Sequence, residues 1–278
     1  MPIPNPFASL CILCIFALKT LLFSFSVPVY ANQILPDAQA LLSAPHRLSG
    51  TPELKVAADH VEKRLREIGM DEVIVQEFPV TQNKTLRCEI ELAGGVRLPL
   101  IPARPNGIIA PVTPPEGLSG DLVDVGSGTD EELNALEIRG RIVVMDYNVG
   151  MQWLKVFRLG AKAIIFVTSG PADARHHHYA RANGNLPRYL YEGPRSDLTG
   201  SATIRSTIVW TRATGRNVIG FLKGTNPTFE LGRPEVIVLA APLDSFGEFP
   251  ERTPAARNAV NCACLLRRAE ILKENRPR

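Results

Sequence analysis

Between Gly120 and Thr168 short apolar runs alternate with helix signals, and this alternation restricts the chain to an α/β fold. Gly120 to Val125 reads as a short strand. Thr129-Asp130-Glu131-Glu132 is a capping box that opens a helix to about Leu136. Arg141 to Asp146 and Lys162 to Thr168 read as buried strands, with a helix from Met151 to Leu159 between them and Gly160 as its stop.

The flanks carry the same two periodicities. Pro52 to Ile68 places Leu54, Ala58, Val61, Leu65 and Ile68 on one helical face. Thr51 can cap that helix, Pro52 suits its first position, and Gly69 ends it. A shorter helix is expected over Leu35 to Ala44, and a strand over Val73 to Val80. Leu86 to Leu92 alternates apolar and polar residues, and Gly94-Gly95 can fold it back onto Val96 to Ile101 as a hairpin. A Pro-rich stretch from Pro99 to Pro115 reads as an extended linker or a domain junction. Strands are expected at Ala202 to Thr211 and Asn217 to Leu222. Glu235 to Ala241, the most apolar run, is expected to be a central strand. Ala255 to Asn275 is a final helix with Ala259, Cys262, Leu265, Leu266, Ala269 and Leu272 on one face.

At the amino terminus Phe7 to Val29 is almost wholly apolar, broken by Lys19. Small residues at Val29-Tyr30-Ala31 suit a signal peptidase, so residues 1–31 read as a cleaved signal and the protein as exported: secreted, periplasmic or attached to the cell envelope. Membrane attachment follows only if that segment is retained. Cys11 and Cys14 lie inside it and form no redox motif. Cys88, Cys262 and Cys264 remain, an odd number that makes no disulfide framework and suits small buried hydrophobes.

The chain of 278 residues carries 31 Lys and Arg against 28 Asp and Glu. The charge of +3 is scattered and aromatics are 6%, which argues against a nucleic-acid partner. His176-His177-His178, near Asp173, could bind a transition metal but reads as a polar surface loop. His46 and His60 read as structural or surface residues, and Glu248 and Glu251 as part of a solvated loop.

Three ordered segments then carry a family resemblance. Gly120-Asp-Leu-Val-Asp-Val-Gly126-Ser-Gly128, Ile138-Arg-Gly140-Arg-Ile-Val-Val and Leu159-Gly-Ala161-Lys-Ala-Ile-Ile-Phe166 resemble a protease-associated domain. His46-Arg-Leu-Ser-Gly50-Thr-Pro, before it, resembles the opening of the secreted di-zinc aminopeptidases. Asn217-Val-Ile-Gly, with Glu235-Val-Ile-Val-Leu-Ala-Ala-Pro-Leu-Asp244-Ser245, is similar to their first catalytic strand. The resemblance implies an α/β fold: a partial zinc-exopeptidase-like three-layer sandwich with an inserted protease-associated α/β domain. It divides the chain into residues 1–31 (signal), 32–105 (aminopeptidase-like), 106–212 (protease-associated) and 213–278 (aminopeptidase-like, incomplete).

In the family two zinc ions share a bridging carboxylate and activate a water with the help of a Glu base. The position matching the family's first His ligand is Pro242, two residues before the orienting Asp244. The position matching the bridging Asp is Ala256, within Pro254-Ala255-Ala256-Arg257-Asn258, where only Asn258 matches. Proline and alanine offer zinc no side-chain donor. Asp244 and Asn258 are therefore read as remnants of a family site, with no catalytic residue, no metal ligand and no cofactor expected in this chain. The expectation is an exported metallo-aminopeptidase-like protein that is catalytically inactive or a fragment. Two alternatives stand beside it: a scaffold that binds a peptide or protein through the protease-associated segment, and one half of a split aminopeptidase.

Overall fold

The structure is a computed structural model that describes residues 30–104, 110–168, 186–225 and 236–277. The signal-like run Phe7 to Val29 and the triplet His176–His178 lie outside the described residues, as does the junction at 105–109.

Among the described residues one eight-stranded mixed sheet organises the fold. Its strands are β1 (Glu72–Leu92), β2 (Arg97–Pro99), β3 (Ile101–Pro102), β4 (Leu118–Asp124), β5 (Ile142–Asp146), β6 (Ala163–Val167), β7 (Arg188–Tyr191) and β8 (Ser201–Phe221). They run in the order β2-β1-β8-β4-β5-β6-β7-β3. β4, β5, β6 and β7 are parallel neighbours. The short helices α3 (Asp130–Leu133) and α4 (Trp153–Arg158) lie in the β4–β5 and β5–β6 connections. Both β5 and β6 are buried on both faces, which is why they read as unbroken apolar runs. One face packs Met145, Phe166 and Leu190 under Trp153 and Val156 of α4. The other packs Ile142, Val144 and Ile165 with Ile90 and Ile204.

β7 was not legible in the sequence, where 170–199 reads as turn-rich. Its four residues are all buried, Arg188 among them, and a charge in so short a run masks the strand pattern.

β1 and β8 depart from the sequence reading in length. Each was expected as two strands, and each is one continuous 21-residue strand, paired antiparallel from Glu72↔Phe221 to Leu92↔Ala202 with a bulge between Thr85 and Arg87. The middle, Thr81 to Thr85 against Ile208 to Arg212, is largely polar, so hydrophobic periodicity fades there while the backbone ladder continues. The expected hairpin forms, with Leu92 N donating to Val96 O at 2.9 Å and β2 pairing onto β1.

Three longer helices gather at the other end of this ribbon: α1 (Tyr30–Leu41), α2 (Pro52–Ile68) and α5 (Ala256–Glu274). Leu41, Ala57, Ala259 and Cys262 form their shared core. Arg64 of α2 bonds Asp37 of α1 at 3.0 Å and Glu270 of α5 at 2.5 Å, and His60 joins Asp37 at 2.9 Å. Cys262 is buried but Cys264 is exposed, against the reading of the three cysteines as small buried hydrophobes, because residues two apart on a helix point to different faces.

The run expected as the central strand is not in the sheet. Residues 236–240 have no strand assignment, and Val236, Ile237 and Val238 are 79%, 80% and 79% exposed. A strand needs a neighbour for its N–H and C=O groups, and no described strand lies beside this one.

The Thr51 hydroxyl accepts from Leu54 N at 3.3 Å and closes the first turn of α2. Thr51→Ala is expected to lower unfolding free energy by about 1 kcal/mol in a urea titration.

Candidate functional site

The remnant residues of the zinc-site resemblance lie where three segments meet: 46–49 after α1, 242–245, and the start of α5. Arg47 joins them. Its side chain is fully buried, and its guanidinium donates to Leu243 O at 2.9 Å, to Leu41 O and Pro254 O at 2.7 Å each, and to Ala255 O at 3.2 Å. Its backbone N–H donates to Ser245 Oγ at 2.6 Å, and Ser245 N returns a bond to Arg47 O at 2.9 Å. Burial pulls the Arg47 pKa down, while the fields of Cys262 and Asp244 oppose that shift. Carbonyl dipoles around a buried cation replace part of the hydration it has lost.

Gly50 makes the approach of this segment possible. Its φ is +84°, and a Cβ there would sit 2.7 Å from Ala213 Cβ on β8.

Asp244 and Asn258 do come together. Asn258 Nδ2 donates to Asp244 O at 2.9 Å, and Ser49 Oγ donates to Asp244 Oδ2 at 3.3 Å. Pro242 contributes a carbonyl that accepts from Cys262 Sγ at 3.1 Å. Ala255, at φ 47°, starts α5 without a side-chain cap, and Ala256 and Arg257 are exposed. The donor set therefore does not fit a pair of zinc ions: one carboxylate is present, the amide is spent on a carbonyl, and a buried guanidinium holds the surrounding carbonyls. Among the described residues no group of three or more His, Cys, Asp or Glu could hold a metal ion.

The loop that leaves this junction corrects a sequence reading. Glu248 was expected in solvent and is fully buried, as are Phe249 and Thr253 beside it. Glu248 lies opposite Arg188 of β7, with Arg188 Nη1 3.4 Å from Glu248 Oε1. Both Glu248 oxygens and all three Arg188 guanidinium nitrogens lack a hydrogen-bond partner. Arg188 stacks 4.0 Å over the Trp153 ring. Burial pushes the Glu248 carboxyl up to about 7 against the pull of Arg188, and it draws the Arg188 pKa down. Glu251 is bonded to the buried Arg104 rather than free in solvent. Sequence reasoning missed Arg47, Arg188 and Glu248 as organisers. The signal for Arg188 was a charge inside the apolar run Leu186 to Tyr191.

A separate cleft of about 490 Å³ opens at the carboxyl ends of β4 and β5, lined by Asp124, Val125, Gly126, Glu132, Asp146 and Arg195. Ligands often bind at this place in open α/β sheets. Here Arg195 bonds both Asp124 and Asp146, and Glu132 accepts from Ser127 N and Thr129 N, so the acids are already engaged.

With this geometry in hand, solved structures supply the comparison. A zinc aminopeptidase from Bacillus subtilis, BSAP, superposes with a TM-score of 0.61 at 20% identity, covering 90% of this chain and 59% of that one. A peptidase M28 precursor from Shewanella amazonensis SB2B superposes at 0.52 with 19% identity, covering 87% and 60%. The fold is aminopeptidase-like. At these identities the relationship is distant, and the chain spans less than two thirds of either relative. No protein-family model and no curated protein matches the sequence.

Arg47→Met is expected to destabilise the chain by at least about 3 kcal/mol in denaturant unfolding, because four carbonyls lose a charged donor. Asp244→Asn keeps the size and the Ser49 contact and is expected to cost no more than about 1 kcal/mol.

Proposed function

We propose that this chain is an exported, non-catalytic member of the zinc aminopeptidase lineage that acts by binding a peptide or protein. The observation that carries the reading is the Arg47 junction. The residues that match family ligand positions are Pro242 and Ala256, and their surroundings are organised around a guanidinium instead of metal ions. Residues 106–212 serve in this reading as the protease-associated domain and present the contact surface. Export rests on the apolar run Phe7 to Val29 and the small residues that follow it.

Incubation of the purified chain with zinc and aminoacyl-anilide substrates is expected to release no product. Turnover that a chelator abolishes would overturn the proposal.

A second reading has its own support. The apolar run Val236 to Leu239 is exposed, which suits a unit whose sheet is continued by a further polypeptide segment, as in one half of a split aminopeptidase. Ile237→Lys is then expected to change the stability of the chain alone by less than about 0.5 kcal/mol. A larger loss would mean that the run is already packed and would count against an open edge.

A further inference from the structure

The loop 245–253 connects Asp244 to the start of α5, and it is tied to the rest of the fold at four described places. Ser245 is bonded to Arg47 at its near end. Arg104 N donates to Glu248 O at 2.6 Å, and the Arg104 side chain bonds Glu251. Arg252 makes two 2.8 Å bonds to Glu192, just after β7. The fourth tie is the buried pair of Glu248 and Arg188. Beside it Phe249 packs edge-on against Tyr147 and Phe166, with ring centroids 5.4 and 6.4 Å away.

Each of the first three ties is made by hydrogen bonds. The fourth is not. Its closest approach is 3.4 Å, both carboxylate oxygens lack a donor, and neither side chain reaches solvent. A buried carboxylate in that setting has exchanged its hydration for a single Coulombic partner. The charged groups facing it are few. Arg188 comes from β7, and Tyr147, following β5, acts on Arg188. Arg104 and Glu251 pair with each other, as do Arg252 and Glu192.

We propose that Glu248 is a proton-controlled latch: its neutral carboxyl keeps loop 245–253 seated against the sheet, and its ionisation releases the loop. Release would loosen the covalent link between Asp244 and Asn258 while leaving β4 to β7 in place. The device is independent of whether the chain hydrolyses peptides.

The direction of the pH effect follows from where the proton is held. With the loop seated, the Glu248 carboxyl keeps its proton up to about pH 7, against 4.5 for an exposed Glu. The seated state therefore binds more protons than the released state between those values. Its advantage is full below pH 4.5, falls as pH rises through about 7, and stays at its lower level above.

The test is amide hydrogen exchange of the full chain, corrected for intrinsic rates, at about pH 5 and about pH 8. Protection of residues 245–253 is expected to fall by about tenfold or more on going to the higher pH, while β5 and β6 change little. In Glu248→Gln and in Glu248→Met the fall is expected to vanish, and in Glu251→Gln it is expected to persist. A flat profile in the wild-type loop would overturn the latch, as would a fall that survives in either Glu248 variant. If neither variant folds, the wild-type profile decides alone: a change confined to 245–253 supports the latch, and one spread evenly over the sheet sinks it.

Discussion

The pairing of β1 with β8 is the constraint on which everything else in this chain depends. Glu72 meets Phe221 and Leu92 meets Ala202, so the two ends of a long intervening segment are held side by side along 21-residue strands. Closing so long a loop costs entropy that only an extended ladder and its flanking packing can offset. Once it is closed, β4 to β7 can add to one side of β8, and α2 and α5 can pack together at the far end. The segment bearing Arg47 and the segment bearing Asp244 become neighbours only through that closure. The sequence separation between Arg47 Nε and its acceptor Leu243 O is 196 residues.

Two of the buried arginines, Arg47 and Arg188, represent different solutions to one problem. Arg47 is surrounded by carbonyl oxygens and replaces much of its lost hydration with dipoles. Arg188 has an aromatic face and one carboxyl at 3.4 Å, so its charge, and that of Glu248 once ionised, is poorly compensated. The first arrangement fixes the junction between segments. The second leaves a titratable point in the loop that links Asp244 to α5. The first lies where the family resemblance would place metal chemistry.

Much of the architecture was legible from local signals. Thr51, Pro52 and Gly69 mark α2 at both ends, and the structure starts and stops it there. Thr129 and Glu132 form the capping box they spell. β5 and β6 announce themselves as unbroken apolar runs because helices and strands cover both faces. Motif order singled out Asp244 and Asn258, and the fold joins them through Asn258 Nδ2 and Asp244 O. Periodicity failed where polar residues continue a strand, as at Thr81 to Thr85, and where a buried charge interrupts one, as at Arg188.

The sequence by itself determined the local elements and the presence at 242 and 256 of Pro242 and Ala256, whose side chains carry no donor for a metal. Those depend on side-chain identity and on neighbours a few positions away. Only the tertiary structure decided the fates of Val236 to Leu239 and of Glu248. An apolar run becomes a strand when another strand supplies hydrogen bonds, and no described strand does so for 236–240. A glutamate in a polar-looking loop is buried when the loop folds onto a sheet whose strand β7 offers Arg188 beneath it. Both outcomes are set by residues distant in sequence, and no local window contains them.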